Sequence, residues 1–175
     1  MTDGKTDIRL LSEADIDSQS KVLAELLIDA VDGGASLGFL PQLHFGKAKS
    51  YFAEVGKLVG NGNSLLLGAF LDGHLVGSVQ LKMNFPENGT HRAEVTKLLV
   101  HSSVRGRGIA TELMSHLLEV VRAHGKSLLT LDTEVGSEGE YLYRKLGWHA
   151  LGEIPDYVRN EKGVSSATMI FWLKI

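Results

Sequence analysis

The run Val104-Arg105-Gly106-Arg107-Gly108-Ile109-Ala110 holds the residue types best suited to chemistry in this chain. Its glycines leave the backbone open to close approach by a ligand, and Arg105 and Arg107 add full positive charges. The run lies between a β-like segment, Ala93 to Val100, and a strongly helical one, Ile109 to Ala123. A strand-to-helix turn of this kind presents N–H groups that have no partner inside the helix. The helix dipole adds partial positive charge at the same place. The ligand this arrangement expects is an anionic phosphate group. The competing reading is a solvated basic turn or an RGG-like nucleic-acid tract. That reading calls for further Arg-Gly units, and the chain has none outside this run. A Walker loop would end in Lys followed by Ser or Thr, and a dinucleotide fingerprint would place a third glycine where Thr111 stands. Neither pattern fits.

Other chemistry is narrowed by what the chain lacks. It has 0 cysteines, which excludes disulfides, a thiol nucleophile and thiolate metal sites. Its 7 histidines show no H-x-H or H-x-x-x-H spacing, so they are expected to be hydrogen-bonded or solvated singly, and no metal site is expected.

The elements that must carry the loop can be traced by periodicity. Ile8-Arg9-Leu10 reads as a short strand, Asp15 to Ala30 as one helix, and Ser50 to Val59 as another. Between them Gly33 to Gly46 is loop-like yet carries Leu37, Phe39, Leu40, Leu43 and Phe45, so it either folds over a ligand pocket or packs permanently on the core. Ser64 to Leu71 and His74 to Met83 form a hairpin about Asp72-Gly73. Arg92 to Val100 is a strand, Ile109 to Ala123 a helix, Leu128 to Leu131 a buried strand, and Glu138 to Leu146 a helix. Trp148 to Leu151 and Thr168 to Lys174 read as the last strands, with Gly152 to Ser166 a long loop between them. This order predicts an α/β fold: a mixed sheet with helices on both faces.

With 175 residues, 43% hydrophobic and 22% charged, the chain is expected to form a single domain over 1–175. A net charge of −3 argues against a nucleic-acid partner. The stretch Met1 to Leu11 carries Asp3 and Asp7 without an apolar core, unlike a signal peptide. Leu65 to Leu71, the longest apolar-rich stretch, is too short to span a membrane, so a cytoplasmic location and no membrane partner are expected.

Read from Arg105 to Ala110, the glycine run matches R-x-x-G-x-A and resembles the pyrophosphate loop of the GNAT N-acetyltransferase superfamily. The segments Ala93-Glu94-Val95-Thr96-Lys97-Leu98-Leu99-Val100, Leu128-Leu129-Thr130-Leu131-Asp132-Thr133-Glu134 and Tyr141-Leu142-Tyr143-Arg144-Lys145-Leu146-Gly147-Trp148 are similar to the family's segments in the same order. The resemblance covers nearly the whole chain. Arg92-Ala93-Glu94-Val95, Leu131-Asp132-Thr133-Glu134, Gly152-Glu153-Ile154-Pro155 and the early Gly33-Gly34-Ala35-Ser36 look most like the family's tabtoxin-resistance branch.

The resemblance implies a mostly antiparallel sheet of about seven strands and acetyl-CoA as co-substrate. It also implies direct transfer to a small amine or amino-acid-like compound, and it allows a homodimer. It places Leu98, Leu99 and Val100 along the thioester and pantetheine arm. It places Arg105, Gly106, Arg107, Gly108, Ile109, Ala110 and Thr111 at the pyrophosphate. Many members carry an Asn where Gly136 stands, and Ser137 beside it is the candidate substitute. Tyr143 takes the position of the family's proton-donating tyrosine, and a phenol pKa near 10 suits a thiolate acceptor. Tyr141, on another helix face, is read as structural. Glu94 is the candidate base: on a regular strand Glu94, Thr96 and Leu98 share one face, with about 13 Å from Glu94 to Leu98, so a water would relay the proton. Asp132 is the second candidate for this work or for binding the substrate ammonium. Both carboxylates could instead be ion-paired with Arg92, Arg9 or a lysine. Two other functions stay open: protein N-terminal or lysine acetylation, and a non-catalytic acyl-CoA sensor.

Overall fold

The computed structural model describes residues 6–175. The Met1 to Lys5 part of the leader-peptide argument falls outside them. The strands are β1 (Thr6–Leu10), β2 (Ser64–Leu71), β3 (His74–Lys82), β4 (Arg92–Val100), β5 (Leu128–Glu134), β6 (His149–Arg159) and β7 (Ser165–Lys174). The helices are α1 (Glu13–Ser18), α2 (Ser20–Asp32), α3 (Phe45–Gly60), α4 (Ile109–Ala123) and α5 (Glu138–Lys145). The strands form one sheet in the order β1-β2-β3-β4-β5-β7-β6. Every neighbouring pair is antiparallel except β4 and β5, which run parallel. Among the described residues no helix is long and apolar enough to cross a membrane.

Each face of the sheet carries its own core. On one face α4 lays Ile109, Leu113, Met114, Leu117 and Val121 against Leu67, Val79, Leu81, Ala93, Val95, Leu129 and Leu131. The spacing of those helix residues is that of a single apolar stripe. On the other face α1, α2 and α3 pack Ile16, Leu23, Leu27, Phe52 and Val55 onto Leu66, Phe70, Leu75 and Leu99.

Three elements depart from the periodicity reading. The helix expected over Asp15 to Ala30 is two helices that meet at Gln19 (φ −94°, ψ 6°). The signal for the first was a capping box: the Asp15 N–H donates to Ser12 Oγ at 3.2 Å, and the Ser12 N–H donates to the Asp15 carboxylate at 2.9 Å. The third helix starts at Phe45 rather than Ser50, where the Gly46 N–H donates to Nδ1 of His44 at 3.1 Å. The early loop is correspondingly shorter. It packs Leu43, Leu37 and Phe39 on the α3-side core and leaves Leu40 exposed. Most of the late segment expected as a loop, Gly152 to Ser166, is strand: β6 runs to Arg159 and β7 begins at Ser165. β6 is an edge strand exposed along almost its whole length, so no buried face imprints an alternating pattern on its sequence.

Phe171 is fully buried on β7 and touches the Tyr143 ring at 6.0 Å between centroids. Phe171→Ala leaves a cavity there and is expected to lower unfolding free energy by about 3–5 kcal/mol. The midpoint of a urea titration measures this. A shift too small for a core cavity would place the ring outside the load of the fold.

Candidate active site

The glycine run forms a tight turn into α4. Gly106 and Gly108 have φ of 77° and 84°, a left-handed backbone that glycine adopts without a Cβ penalty. A Cβ at either position would meet nothing within 4 Å, so the concave side of the turn is open. The first hydrogen bond into α4 runs from the Glu112 N–H to the Gly108 carbonyl. Among the described residues, no protein acceptor pairs with the N–H groups of Gly106, Arg107, Gly108, Ile109, Ala110 and Thr111. These donors and the α4 dipole fit a phosphate group. The Ile109 side chain is buried, so only its backbone faces the opening, while Arg107 is exposed beside it.

Arg105 has a different task from the one its charge suggests. Its Nε donates to the Val100 carbonyl at 3.1 Å, and its guanidinium lies 3.9 Å from the Asp29 carboxylate on α2. Asp29 also accepts from the Ser102 N–H at 2.8 Å and the Ser102 hydroxyl at 2.6 Å. Partial burial works to raise the Asp29 pKa, but the Ser102 bonds, with His101 and Arg105, outweigh it and hold the carboxyl below its ordinary value. Asp29 thus anchors the turn from the far helix layer, a link that no local sequence signal carries.

Upstream of the turn, β4 changes face. Its pairing with β3 slips between Ser78 and Gln80, and Lys97 takes a φ of 50°. One extra residue on β4 is the signature of a β-bulge. Before it, Ala93 and Val95 join the α4-side core; after it, Leu98 and Val100 pack against that core, and Leu99 turns to the α3-side core. The expectation that Glu94, Thr96 and Leu98 share one face therefore fails, and the regular-strand spacing between Glu94 and Leu98 does not apply. Glu94 lies on the α3 side, Leu98 and Val100 on the α4 side, and the side chain of Leu99 points away from them. Sequence offered a sign of this: Thr96-Lys97 followed by Leu98-Leu99-Val100 breaks alternation where a bulge would.

The same stretch of β4 also parts from its other neighbour. The parallel ladder with β5 covers Arg92 to Glu94 against Leu128 to Thr130 and goes no further, although β4 continues to Val100 and β5 to Glu134. A gap in the hydrogen bonding thus opens between two strands of one sheet.

Tyr143 lies on the α4 side of this gap. Its ring packs against Trp148 (5.8 Å) and Phe171 (6.0 Å), and the residue is 7% exposed. Among the described residues its hydroxyl has no hydrogen-bond partner, although the hydroxyl is not sealed from solvent. Burial raises its pKa well above the ordinary phenol value, and the charge of Asp132 raises it further. The phenol keeps its proton throughout the neutral range. Tyr141, read as structural, is 73% exposed. Ser137 is the N-cap of α5: its Oγ accepts from the Glu140 N–H at 3.2 Å and lies 3.1 Å from Thr133 Oγ1. The hydroxyl held in reserve for a cofactor contact already serves the helix.

The other side of the gap is charged. Glu94 accepts from Lys82 Nζ at 2.8 Å, so the lysine pairing weighed for it is realised while the residue stays half-buried. Asp132 is exposed and lies 3.1 Å from Thr168 Oγ1, whose single proton is shared with the Thr133 carbonyl at 2.9 Å. Lys97, Tyr51 and Gln80 complete this side, and sequence reasoning had singled out none of them. The Tyr51 hydroxyl makes a short hydrogen bond to the Gln80 side chain, which donates to Ser64 Oγ at 3.1 Å. Burial pushes the Tyr51 phenol up to about 12, so it remains a donor. Among the described residues no three His, Asp or Glu converge in a metal-holding group.

Comparison with known proteins agrees with this architecture. The model of the acetyltransferase (GNAT) family matches residues 38–148, and the chain belongs to that family. Over 104 residues it is 31% identical to the N-alpha-acetyltransferase MAK3 of Arabidopsis thaliana, covering 59% of this chain and 54% of that one. Over 105 residues it is 32% identical to the N-acetylaspartate synthetase of Rattus norvegicus, covering 59% of this chain and 34% of that one. The chain thus spans about half the length of the first relative and about a third of the second. Among solved structures, the acetyltransferase yncA of Salmonella typhimurium, determined with its cofactor acetyl-CoA, superposes with a TM-score of 0.77 at 19% identity, over 97% of this chain and 94% of that one.

The open turn predicts the outcome of Gly108→Asn. Asn tolerates a left-handed backbone, so the fold should hold, while its side chain enters the space above the N–H groups. Calorimetry with CoA should show affinity lower by about tenfold or more, or about 1.4 kcal/mol. Unchanged affinity would remove this turn from the phosphate site.

Proposed function

We propose that the chain is an acetyl-CoA-dependent N-acetyltransferase, a single catalytic domain over 1–175 that acts on a small amine or amino-acid-like compound. The observation that carries this reading is the gap between β4 and β5. A neutral phenol stands on one side, and two carboxylates stand on the other, with the phosphate cradle at the end of β4. The presence of acetyl-CoA in the yncA structure supports the choice of co-substrate. When bound, acetyl-CoA supplies an activated acyl carbon and a thiolate leaving group.

The chain's own residues divide the remaining work. Backbone donors from Gly106 to Thr111 hold the pyrophosphate, and Leu98 and Val100 present the backbone edge along which the pantetheine arm lies as an added strand. The Leu98 N–H polarises the thioester oxygen. On the α3 side, Glu94, directly or through a water, takes a proton from the acceptor ammonium, and Asp132 holds that ammonium or shares the task. The amine nitrogen then bonds to the acetyl carbon as the C–S bond breaks, and Tyr143 gives its hydroxyl proton to the departing sulfur.

The similarity to the tabtoxin-resistance branch, carried by Gly33-Gly34-Ala35-Ser36 and Gly152-Glu153-Ile154-Pro155, supports a small acceptor. A protein α-amine is the second reading. It is favoured by the strand character of β6, which leaves only a short turn where a covering loop was expected, and by the likeness to an N-alpha-acetyltransferase. The unpaired Tyr143 hydroxyl weighs against a sensor without catalysis.

Tyr143→Phe removes the proton and keeps the packing. The expected kcat is lower by about 10²-fold or more, with the Kd for acetyl-CoA and the melting temperature unchanged. A variant with full kcat would eliminate the acid role. Glu94→Gln is expected to lower kcat/KM most at low pH, where few acceptor amines are already neutral, and to recover as pH rises. A pH-independent loss in the same rate profile would make Glu94 a positioning group.

A further inference from the structure

Lys97 is a cation that the proposed chemistry leaves unused. It sits at the β4 bulge with φ 50°, a conformation that costs a non-glycine residue about 1–2 kcal/mol. Strain of this kind concentrates at ligand clamps. The side chain is half-buried and turns toward α3, with Nζ 5.7 Å from the centre of the Tyr51 ring. Among the described residues no carboxylate lies within 4.0 Å of it. The neighbouring Lys82 is neutralised by Glu94 at 2.8 Å; Lys97 has no such partner. Asp132 and Glu94 are close enough to favour its charge, but burial and the charge of Lys82 prevail, and its pKa falls below the ordinary lysine value. A half-buried ammonium held by a strained backbone against an aromatic face is costly unless an anion completes it.

The walls around it fix where that anion would lie. Tyr51 is held by Gln80, and Phe39 from the early loop meets Tyr51 edge-on at 5.5 Å. Glu94, Asp132 and Lys97 stand on the same side of the gap. Asp132, with Glu94 beside its Lys82 partner, suits an ammonium, and a lysine without a carboxylate in contact suits a substrate carboxylate. That pattern of charge is complementary to a zwitterion.

We propose that the acceptor is an α-amino acid with a free carboxylate, and that Lys97 is the specificity-determining residue that binds this carboxylate while the amine faces Glu94 and Asp132. The proposal rests on the acetyl-transfer reading given above and names its substrate class. Lys97 takes no part in moving the proton; it orients the acceptor through a charge-assisted hydrogen bond. A peptide α-amine, whose neighbouring carbonyl is an amide, gains nothing from this lysine.

The test compares the standard α-amino acids with their α-carboxamides. Thiol release from acetyl-CoA is measured for wild type, Lys97→Gln and Lys97→Arg, and binding of the same compounds to the CoA-loaded protein is followed by calorimetry. For the preferred side chain, the wild type should favour the free acid over the carboxamide by at least tenfold in kcat/KM. Lys97→Gln should raise the KM of the acid at least tenfold, leave the carboxamide and the acetyl-CoA KM unchanged, and so erase the preference. Lys97→Arg should restore most of it. Equal use of acid and carboxamide by the wild type overturns the proposal, and this arm needs no variant to fold. So does a Lys97→Gln loss that falls equally on both compounds. Absence of thiol release with every acceptor would instead defeat the acetyl-transfer reading. In that case the calorimetric arm still decides on Lys97: acid binding lost in Lys97→Gln upholds the carboxylate site, and acid binding that is absent or unchanged rejects it.

Discussion

Strands that lie side by side in a sheet but stop pairing leave rows of N–H and C=O groups facing each other. β4 and β5 do so beyond Glu94 and Thr130. Backbone groups of this kind must find water or a ligand, so the gap is open to either. Each strand is held from its outer side. β5 pairs along its full length with β7, and β4 is held by β3 across the bulge at Lys97.

The bulge also sorts the side chains. A regular strand would send Leu98 to the same side as Glu94. The extra residue sends Leu98 and Val100 to the α4 side and leaves Glu94 and Thr96 on the other. The two sides then differ in electrostatic character. The α4 side offers backbone donors and a phenol that burial keeps protonated. The α3 side offers Lys82, Glu94, Lys97 and Asp132 in varying degrees of exposure.

The parts legible in the sequence were those written in local pattern. The glycine turn and the full span of α4, Ile109 to Ala123, follow from residue type and apolar spacing. The β2–β3 hairpin follows from Asp72-Gly73. The break at Gln19, the exposed edge strand β6 and the Asp29 anchor were not legible, for separate reasons. Gln19 has no residue type that forbids helix. β6 buries no face that could impose a period. Asp29 and Ser102 are 73 residues apart, a pairing that only the packed helix layer creates. The bulge is an intermediate case. Its signature is visible in Thr96-Lys97-Leu98-Leu99, but whether a broken alternation means a bulge or a strand end is settled by the partner strand. Tyr51 and Gln80, on the α3 side of the gap, are brought together across 29 positions.

The Asp29 contact joins two parts of the molecule, the α2 layer and the glycine turn. α2 belongs to the α3-side core, and Ser102 and Arg105 belong to the turn that leads into α4. Because its folded-state pKa lies below the ordinary carboxyl value, the Asp29 carboxylate lends stability above that ordinary value and loses it only as pH falls through the lowered one. Under ordinary conditions the tie is therefore constant. If phosphate binding orders the turn through this tie, ligand binding on the α2 side must favour the phosphate by the same factor.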